Sequence, residues 1–272
     1  MANHPMQTIA NDDHSATEGC IPVVPVKGES AARARAAAKA LGSDMLEIGT
    51  SPSPYLVVGE TGAWLEMAGS QVHIAFDSAT MMHRRRGGQN ELLGRAVGVK
   101  AGRQPTVWDA TGGLGRDAFV LADLGCRVTL CERVPVLAWL LRDAVSAAMV
   151  SGHDQVRAAA QRMTIRHCDS RQLQVLASDV IYLDPMFPER KKSAAIKKEA
   201  AMLQRLAHTE DDAQALWEWA WRQPVSRIVV KRPLRAPILG SQKPSHTLRG
   251  KSVRFDVFVR PHDNTLVHQT GE

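Results

Sequence analysis

Val107-Trp108-Asp109-Ala110-Thr111-Gly112-Gly113-Leu114-Gly115-Arg116-Asp117 joins a short apolar run to a glycine-rich turn and the start of an apolar-periodic stretch. Glycines permit positive φ and let a ligand approach the backbone, and a helix start presents unpaired N–H groups. The stretch therefore predicts a strand, a ligand-cradling turn and a helix. Two ligand classes fit: a dinucleotide, whose fingerprint is G-x-G-x-x-G, and a nucleotide-like sulfonium amino acid. Here Gly113-x-Gly115 is followed by Arg116, Asp117 and Ala118, so the third glycine is missing. Asp109, just ahead of the glycines, suits an ammonium better than an approaching pyrophosphate.

Downstream of Pro105 strand-like runs alternate with helical ones. The strands are Thr106–Trp108, Arg127–Cys131, Met163–His167, Val180–Leu183 and Arg227–Val230, and the helices Arg116–Leu124, Val136–Met149, Ser193–Leu206 and Asp211–Trp221. That alternation predicts an α/β fold with a mostly parallel sheet covered on both faces. Ser245–Arg249 and Ser252–Val259 flank Gly250 and read as a closing antiparallel hairpin. Upstream, Ile21–Asp77 reads as a short strand, an alanine-rich helix Ser30–Leu41 stopped by Gly42, and strands Tyr55–Val58, Ala63–Met67 and Val72–Phe76. The predicted division is a disordered tail (1–19), a small N-terminal α+β domain (20–80), the ligand-binding domain (81–262) and a C-terminal tail (263–272). At the junction, a loop Arg84–Gly88 leads into a helix carrying Leu92, Leu93, Val97 and Val99.

The four cysteines are scattered, with neither Cys-x-x-Cys spacing nor the nearby histidines of a zinc site, so reduced thiols in a cytoplasmic protein and no metal are expected. The first nineteen residues lack the basic start and apolar stretch of a secretory signal, and no apolar run approaches the ~20 residues of a membrane span. Net charge is +6 with pI near 9.3, which favours a polyanionic partner. From Arg227 to Arg260 there are nine cations, among them Lys231, Arg232, Arg235, Lys243, Arg249 and Lys251, against the single acid Asp256.

Acidic residues at strand ends are the candidate ligand contacts. Glu132, seventeen positions after Gly115, ends the second strand, where a carboxylate can accept from both hydroxyls of a ribose. Asp169, after the third, can accept from an adenine amino group. The buried run Val180-Ile181-Tyr182-Leu183 then delivers Asp184-Pro185-Met186-Phe187-Pro188 to the same edge. An exocyclic amine on guanine or adenine is a poor nucleophile because its lone pair is delocalised. The Asp184 carboxylate and Pro185 carbonyl can hold that NH₂ group and stabilise the charge developing on it, while Phe187 stacks on the base.

Lys191, Lys192, Lys197 and Lys198 follow this turn, and Lys231-Arg232-Pro233 follows the next strand. Both clusters fall on the edge where a base enters, which makes phosphate contact the expectation, with a solvated charged face as the alternative. Trp217, Trp219 and Trp221 cannot share one helical face, so at least one should pack against the sheet.

Taken together, these motifs resemble the small-subunit ribosomal RNA guanine-N2 methyltransferase family of the RsmJ type. The resemblance is carried by Asp109 to Phe119, Leu124-Gly125-Cys126-Arg127-Val128, Tyr182 to Pro188, Lys197-Lys198-Glu199 and Val229-Val230-Lys231-Arg232-Pro233, and runs from roughly Tyr55 to Val259. It implies a Rossmann-like class I methyltransferase with a seven-stranded sheet, S-adenosyl-L-methionine as donor, and one guanosine near the 3′ end of small-subunit RNA as target. By motif position it implies cofactor contacts at Arg116, Asp117, Glu132, Arg133, Asp169, Ser170 and Asp184, beside Asp109, Gly113 and Gly115 of the loop. Met186 departs from the wider Asp-Pro-Pro-Tyr/Phe pattern. Adenine N6 as target, a nicotinamide-dependent oxidoreductase and a non-enzymatic RNA-binding assembly factor are the rival readings.

Overall fold

The structure is a computed structural model and describes residues 21–260 apart from 30, 48–52, 68, 86–87, 176–177 and 186–211. Its first layer is a four-stranded sheet: β1 (Val23–Pro25), β2 (Tyr55–Val58), β3 (Ala63–Met67) and β4 (Ser70–His73), in that order, with helix α1 (Ala32–Leu41) against it. β1 and β2 run parallel and the rest antiparallel. Gly42, at φ 61°, closes α1 in the left-handed conformation that glycine adopts most readily.

Helices α2 (Ala79–Arg85) and α3 (Gly88–Val97) lead to a seven-stranded sheet. Its strands are β5 (Val107–Asp109), β6 (Val128–Glu132), β7 (Met163–His167), β8 (Val180–Leu183), β9 (Arg227–Pro233), β10 (His246–Arg249) and β11 (Val253–Val259), in the order β10-β11-β9-β8-β5-β6-β7. The five strands β5 to β9 are mutually parallel, while β11 is antiparallel to β9 and β10 to β11. Helices α4 (Arg116–Asp123), α5 (Pro135–Met149), α6 (Asp154–Ala160) and α7 (Asp212–Arg222) cover the sheet. Central strands such as Val180-Ile181-Tyr182-Leu183, buried along their whole length, need this cover on both faces. The mostly parallel sheet with an antiparallel C-terminal end is the one expected from the alternation of elements, and its seven strands match the class I architecture that the resemblance implies.

The small sheet has no core separate from its neighbour. Val23, Leu56, Leu65 and Val72 share one apolar cluster with Val136, Leu137 and Leu140 of α5 and with Leu114 of the glycine loop. Burial of each such side chain is worth roughly 1.5–3 kcal/mol. The Arg33–Asp143 ion pair between α1 and α5 is part-exposed, and such pairs contribute about 0–1 kcal/mol, so the apolar seam holds the layers together.

Several predicted boundaries move for identifiable reasons. The strand expected at Val72–Phe76 ends at His73, because Phe76 turns inward to stack on Phe119 with centroids 4.6 Å apart. Arg84 and Arg85 finish α2 instead of forming a loop, and the expected boundary at residue 80 falls inside that helix. β9 runs on to Pro233 because β11 pairs with it from Arg227 to Pro233. Helix α6 was not anticipated: its buried face consists only of Val156, Ala159 and Ala160. Trp217 and Trp219 are both buried, Trp217 against Phe258 with centroids 4.5 Å apart. The expected tails and the helix at Ser193–Leu206 lie outside the described residues.

Candidate active site

β5 ends on Asp109 and α4 begins at Arg116, so the intervening turn lies at the carboxyl edge of the sheet. Gly113 and Gly115 have φ of 52° and 68°, the left-handed region that glycine enters without strain. Gly112 is the most tightly confined: a Cβ there would lie 2.7 Å from both Cys131 O and Leu130 Cδ2 on β6, and its N–H already donates to Cys131 O at 2.8 Å. Gly112 was missed as a site residue, although the paired glycines in the sequence were the signal.

A row of carboxylates follows the strand ends. Asp109 is 2% exposed and its Oδ1 accepts from the backbone N and hydroxyl of Thr111 at 3.0 and 3.2 Å. Burial pushes its carboxyl up to about 7 against the pull of those hydrogen bonds, and the charges of Asp117 and Asp184 add to the rise. Glu132 is also buried; Oε2 accepts from Gly113 N at 2.7 Å and Oε1 from Val134 N at 2.8 Å. Burial raises this carboxyl too, with the two amides opposing. Asp169 caps the short turn Ser170–Gln172 and is bound by Arg171 through Nε and Nη2; burial works against its charge, but Arg171 holds it below the usual carboxylate range. Ser170 is buried, accepting from Trp108 Nε1 at 3.3 Å and donating to Ala110 O at 3.4 Å. Arg116 and Arg133 are half-buried beside the loop and after β6.

The Asp184 side of the edge is built differently. Lys231, on β9, donates from Nζ to Asp117 Oδ2 and Asp184 Oδ2, both at 2.7 Å, and Tyr182 Oη donates to Asp117 Oδ2 at 2.6 Å. Burial disfavours the ammonium, but the two carboxylates outweigh it and hold Lys231 above the usual lysine range. Burial, with the nearby negative charge of Asp117 and Asp184, pushes the Tyr182 phenol well up, so it remains a donor. Asp184 N donates to Thr111 Oγ1 at 2.8 Å. Thr111 thereby ties the turn after β8 to the glycine loop, a link that no sequence motif marked.

Four expectations thus change character. Lys231, expected on an RNA-facing surface, lies inside the site as the counterion of two carboxylates. Arg232 is 3% exposed, with Nε and Nη2 both donating to Pro237 O, so its guanidinium fastens a loop and is turned away from phosphate. Asp117 faces Tyr182 and Lys231, and Asp169 is engaged with Arg171. Asp184 and Pro185 do stand at the edge beside the loop; Phe187, Lys191, Lys192, Lys197 and Lys198 lie outside the described residues.

Comparison with known proteins identifies the family. The family model for SAM-dependent methyltransferases matches residues 49–260. A ribosomal RNA small subunit methyltransferase J from Cellvibrio japonicus is 47% identical over 219 residues, covering 75% of this chain and 82% of that protein. The chain belongs to this methyltransferase family. Its counterpart in Aeromonas hydrophila is 42% identical over 226 residues, 78% of this chain and 90% of that protein. A solved SAM-dependent methyltransferase from Neisseria gonorrhoeae superposes with a TM-score of 0.67 at 29% identity, covering 92% of this chain and all of that one. The chain is therefore an S-adenosylmethionine-dependent methyltransferase, and the nicotinamide reading falls. Among the described residues no helix is long and apolar enough to cross a membrane.

Proposed function

We propose that this methyltransferase acts on the exocyclic N2 of a guanosine in small-subunit ribosomal RNA. The observation that carries the reading is the Thr111 hydroxyl, which binds Asp109 on one side and the Asp184 amide on the other. It sets the amine-holding turn one hydrogen bond away from the cofactor loop. The names of the relatives supply the substrate class.

The residues present fit S-adenosylmethionine. The confined Gly112, the left-handed Gly113 and Gly115, and the buried acids Asp109 and Glu132 form a backbone cradle rich in acceptors, suited to an ammonium and to ribose hydroxyls and unsuited to a pyrophosphate. Asp109, Gly113, Gly115, Arg116 and Glu132 would hold it, with Arg133, Asp169 and Ser170 bordering the adenosine end. When bound, the cofactor supplies a methyl group on a sulfonium, which an aligned amine nitrogen accepts.

Asp184 and the Pro185 carbonyl accept the two N–H bonds of the guanine amine and aim its lone pair outward from the turn. Positioning of this kind replaces an encounter in solution, and the two acceptors stabilise the positive charge that develops on nitrogen. Paired with an ammonium, the Asp184 carboxylate has no proton to donate and serves as an acceptor only. No strong base is required, because the nitrogen becomes acidic once alkylated; Asp184 or water takes the proton then. Stacking on the base is the role that the sequence offers for Phe187. An enzyme with this substrate works in the cytoplasm.

The test is nucleoside mass spectrometry on small-subunit RNA, free and in assembled subunits, from a strain lacking the protein, after incubation with purified enzyme and deuterated cofactor. Label in N2-methylguanosine is expected. Label in N6-methyladenosine would transfer the same mechanism to another amine, and absence of label from both RNA and subunits would sink the reading.

A further inference from the structure

The nine cations of Arg227–Arg260 separate into two groups once placed in the fold. Five are turned inward. Arg227 donates to Ala96 O, Lys231 is locked between carboxylates, Arg232 binds Pro237 O, and Arg260 binds carbonyls that include Val225 O. Arg254 is 5% exposed, pairs with Asp256, and ties down Pro233 O and Leu234 O. Asp256, the only acid of the segment, is 1% exposed, so it contributes no negative surface.

Arg235, Lys243, Arg249 and Lys251 are exposed. Sheet register places three of these four. β9 runs toward the carboxyl edge, where Lys231 meets Asp184, and Arg235 follows two residues beyond its end at Pro233. β11 is antiparallel to β9 and β10 to β11, so the β10–β11 turn returns to that edge: Val253 pairs with Pro233, and Arg249 with Arg254. Arg249 and Lys251 flank the turn at Gly250. Lys243 precedes β10, at the opposite edge. With β10-β11-β9-β8 adjacent in the sheet and strands about 4.8 Å apart, the turn lies roughly 10–14 Å from the strand that delivers Asp184. That is the length of a few nucleotides at about 3.4 Å each.

We propose that Arg235, Arg249 and Lys251 form a phosphate-binding platform for the RNA strand whose base enters at Asp184. The proposal rests on the RNA-methylation reading. It moves the backbone contacts from Lys231 and Arg232, which the fold uses internally, to cations that the fold leaves outside. Drawing a guanine out of its stack costs on the order of a few kcal/mol, and phosphate contacts close to the site offset that cost. Cations on an edge strand also discourage sheet-to-sheet pairing. That role alone would make a neutralised variant aggregate without altering the salt dependence of RNA binding by the monomer.

The experiment compares two full-length variants of equal net charge. One combines Arg235→Ala, Arg249→Ala and Lys251→Ala; the other combines Arg35→Ala, Lys39→Ala and Arg142→Ala, exposed positions on α1 and α5. Binding to small-subunit RNA and to purified small subunits is measured from low to high salt, with S-adenosylhomocysteine binding followed by calorimetry. For the first variant, RNA affinity should fall on the order of 10- to 100-fold and the slope of log affinity against log salt should flatten by about 2 to 3, with cofactor binding unchanged. The control should bind RNA nearly as the wild type does. Wild-type affinity in the platform variant, or equal weakening in the control, would overturn the platform. If the wild type methylates neither RNA nor subunits while the platform effect persists, the enzymatic reading fails and the platform stands.

Discussion

The two halves of the carboxyl edge hold their carboxylates by opposite means. On the β5–β6 side, Asp109 and Glu132 are buried and bonded to backbone amides and the Thr111 hydroxyl, with no ammonium placed against them among the described residues. On the β8–β9 side, Asp117 and Asp184 converge on the Lys231 ammonium and Tyr182. Neutral donors orient a carboxylate and leave its charge for a ligand, whereas one ammonium shared by two carboxylates offsets half of their charge and occupies their oxygens. The first half is therefore suited to a cationic cofactor and the second to a neutral aromatic amine.

The sharpest way to break this comparison is through Asp109. Its folded carboxyl sits near 7, above an unfolded value of about 3.9, so its contribution to stability is intact below pH 4 and is lost as pH rises through 7. Asp109→Asn keeps an oxygen for Thr111 and removes the charge. Thermal melts without cofactor should coincide with wild type at pH 4 and favour the variant by on the order of 4 kcal/mol at pH 8. Parallel melting curves would mean that the charge is already balanced, and the distinction between the halves would collapse.

Asp184→Asn probes the other half. The variant should retain S-adenosylhomocysteine affinity and lose on the order of 10²–10³ in single-turnover methyl transfer, the usual cost of removing one preorganised group from a developing charge. Next in size is Lys231→Met, which removes the ammonium that Asp117 and Asp184 share. Stability should fall by about 3 kcal/mol, and Asp117→Asn in the same chain should recover part of it. Failure of that second change to recover anything would mean that packing, and not charge, is what Lys231 supplies.

How much of this was legible beforehand follows from the reach of each signal. Local motifs located the glycine loop, the Asp-Pro turn and the strands that deliver them, because turn chemistry and apolar runs are short-range. The inward fate of Lys231 and Arg232 was not legible: a basic pair after a strand reads the same whether it faces solvent or two acids brought from α4 and from the turn after β8. Thr111 was invisible for a related reason, since its partners lie 2 and 73 residues away. The small sheet's dependence on α5 escaped notice because a shared core leaves no mark in either segment alone.

Tyr182→Phe is the smallest and most discriminating change. Tyr182 is fully buried and its ring fills the same space as phenylalanine's, so only the Oη–Asp117 hydrogen bond is deleted. Asp117 keeps its bond to Lys231 and is not orphaned. A hydrogen bond whose acceptor retains another partner is worth about 1 kcal/mol, or roughly 2–4 °C in a chain of this size. Methyl transfer should fall only a few-fold, because Lys231 continues to anchor Asp184. A loss as large as that of Lys231→Met would show that the phenol, a neutral donor, organises the β8–β9 half. Both halves would then be held by neutral donors, and their different suitability for cation and amine would need another cause.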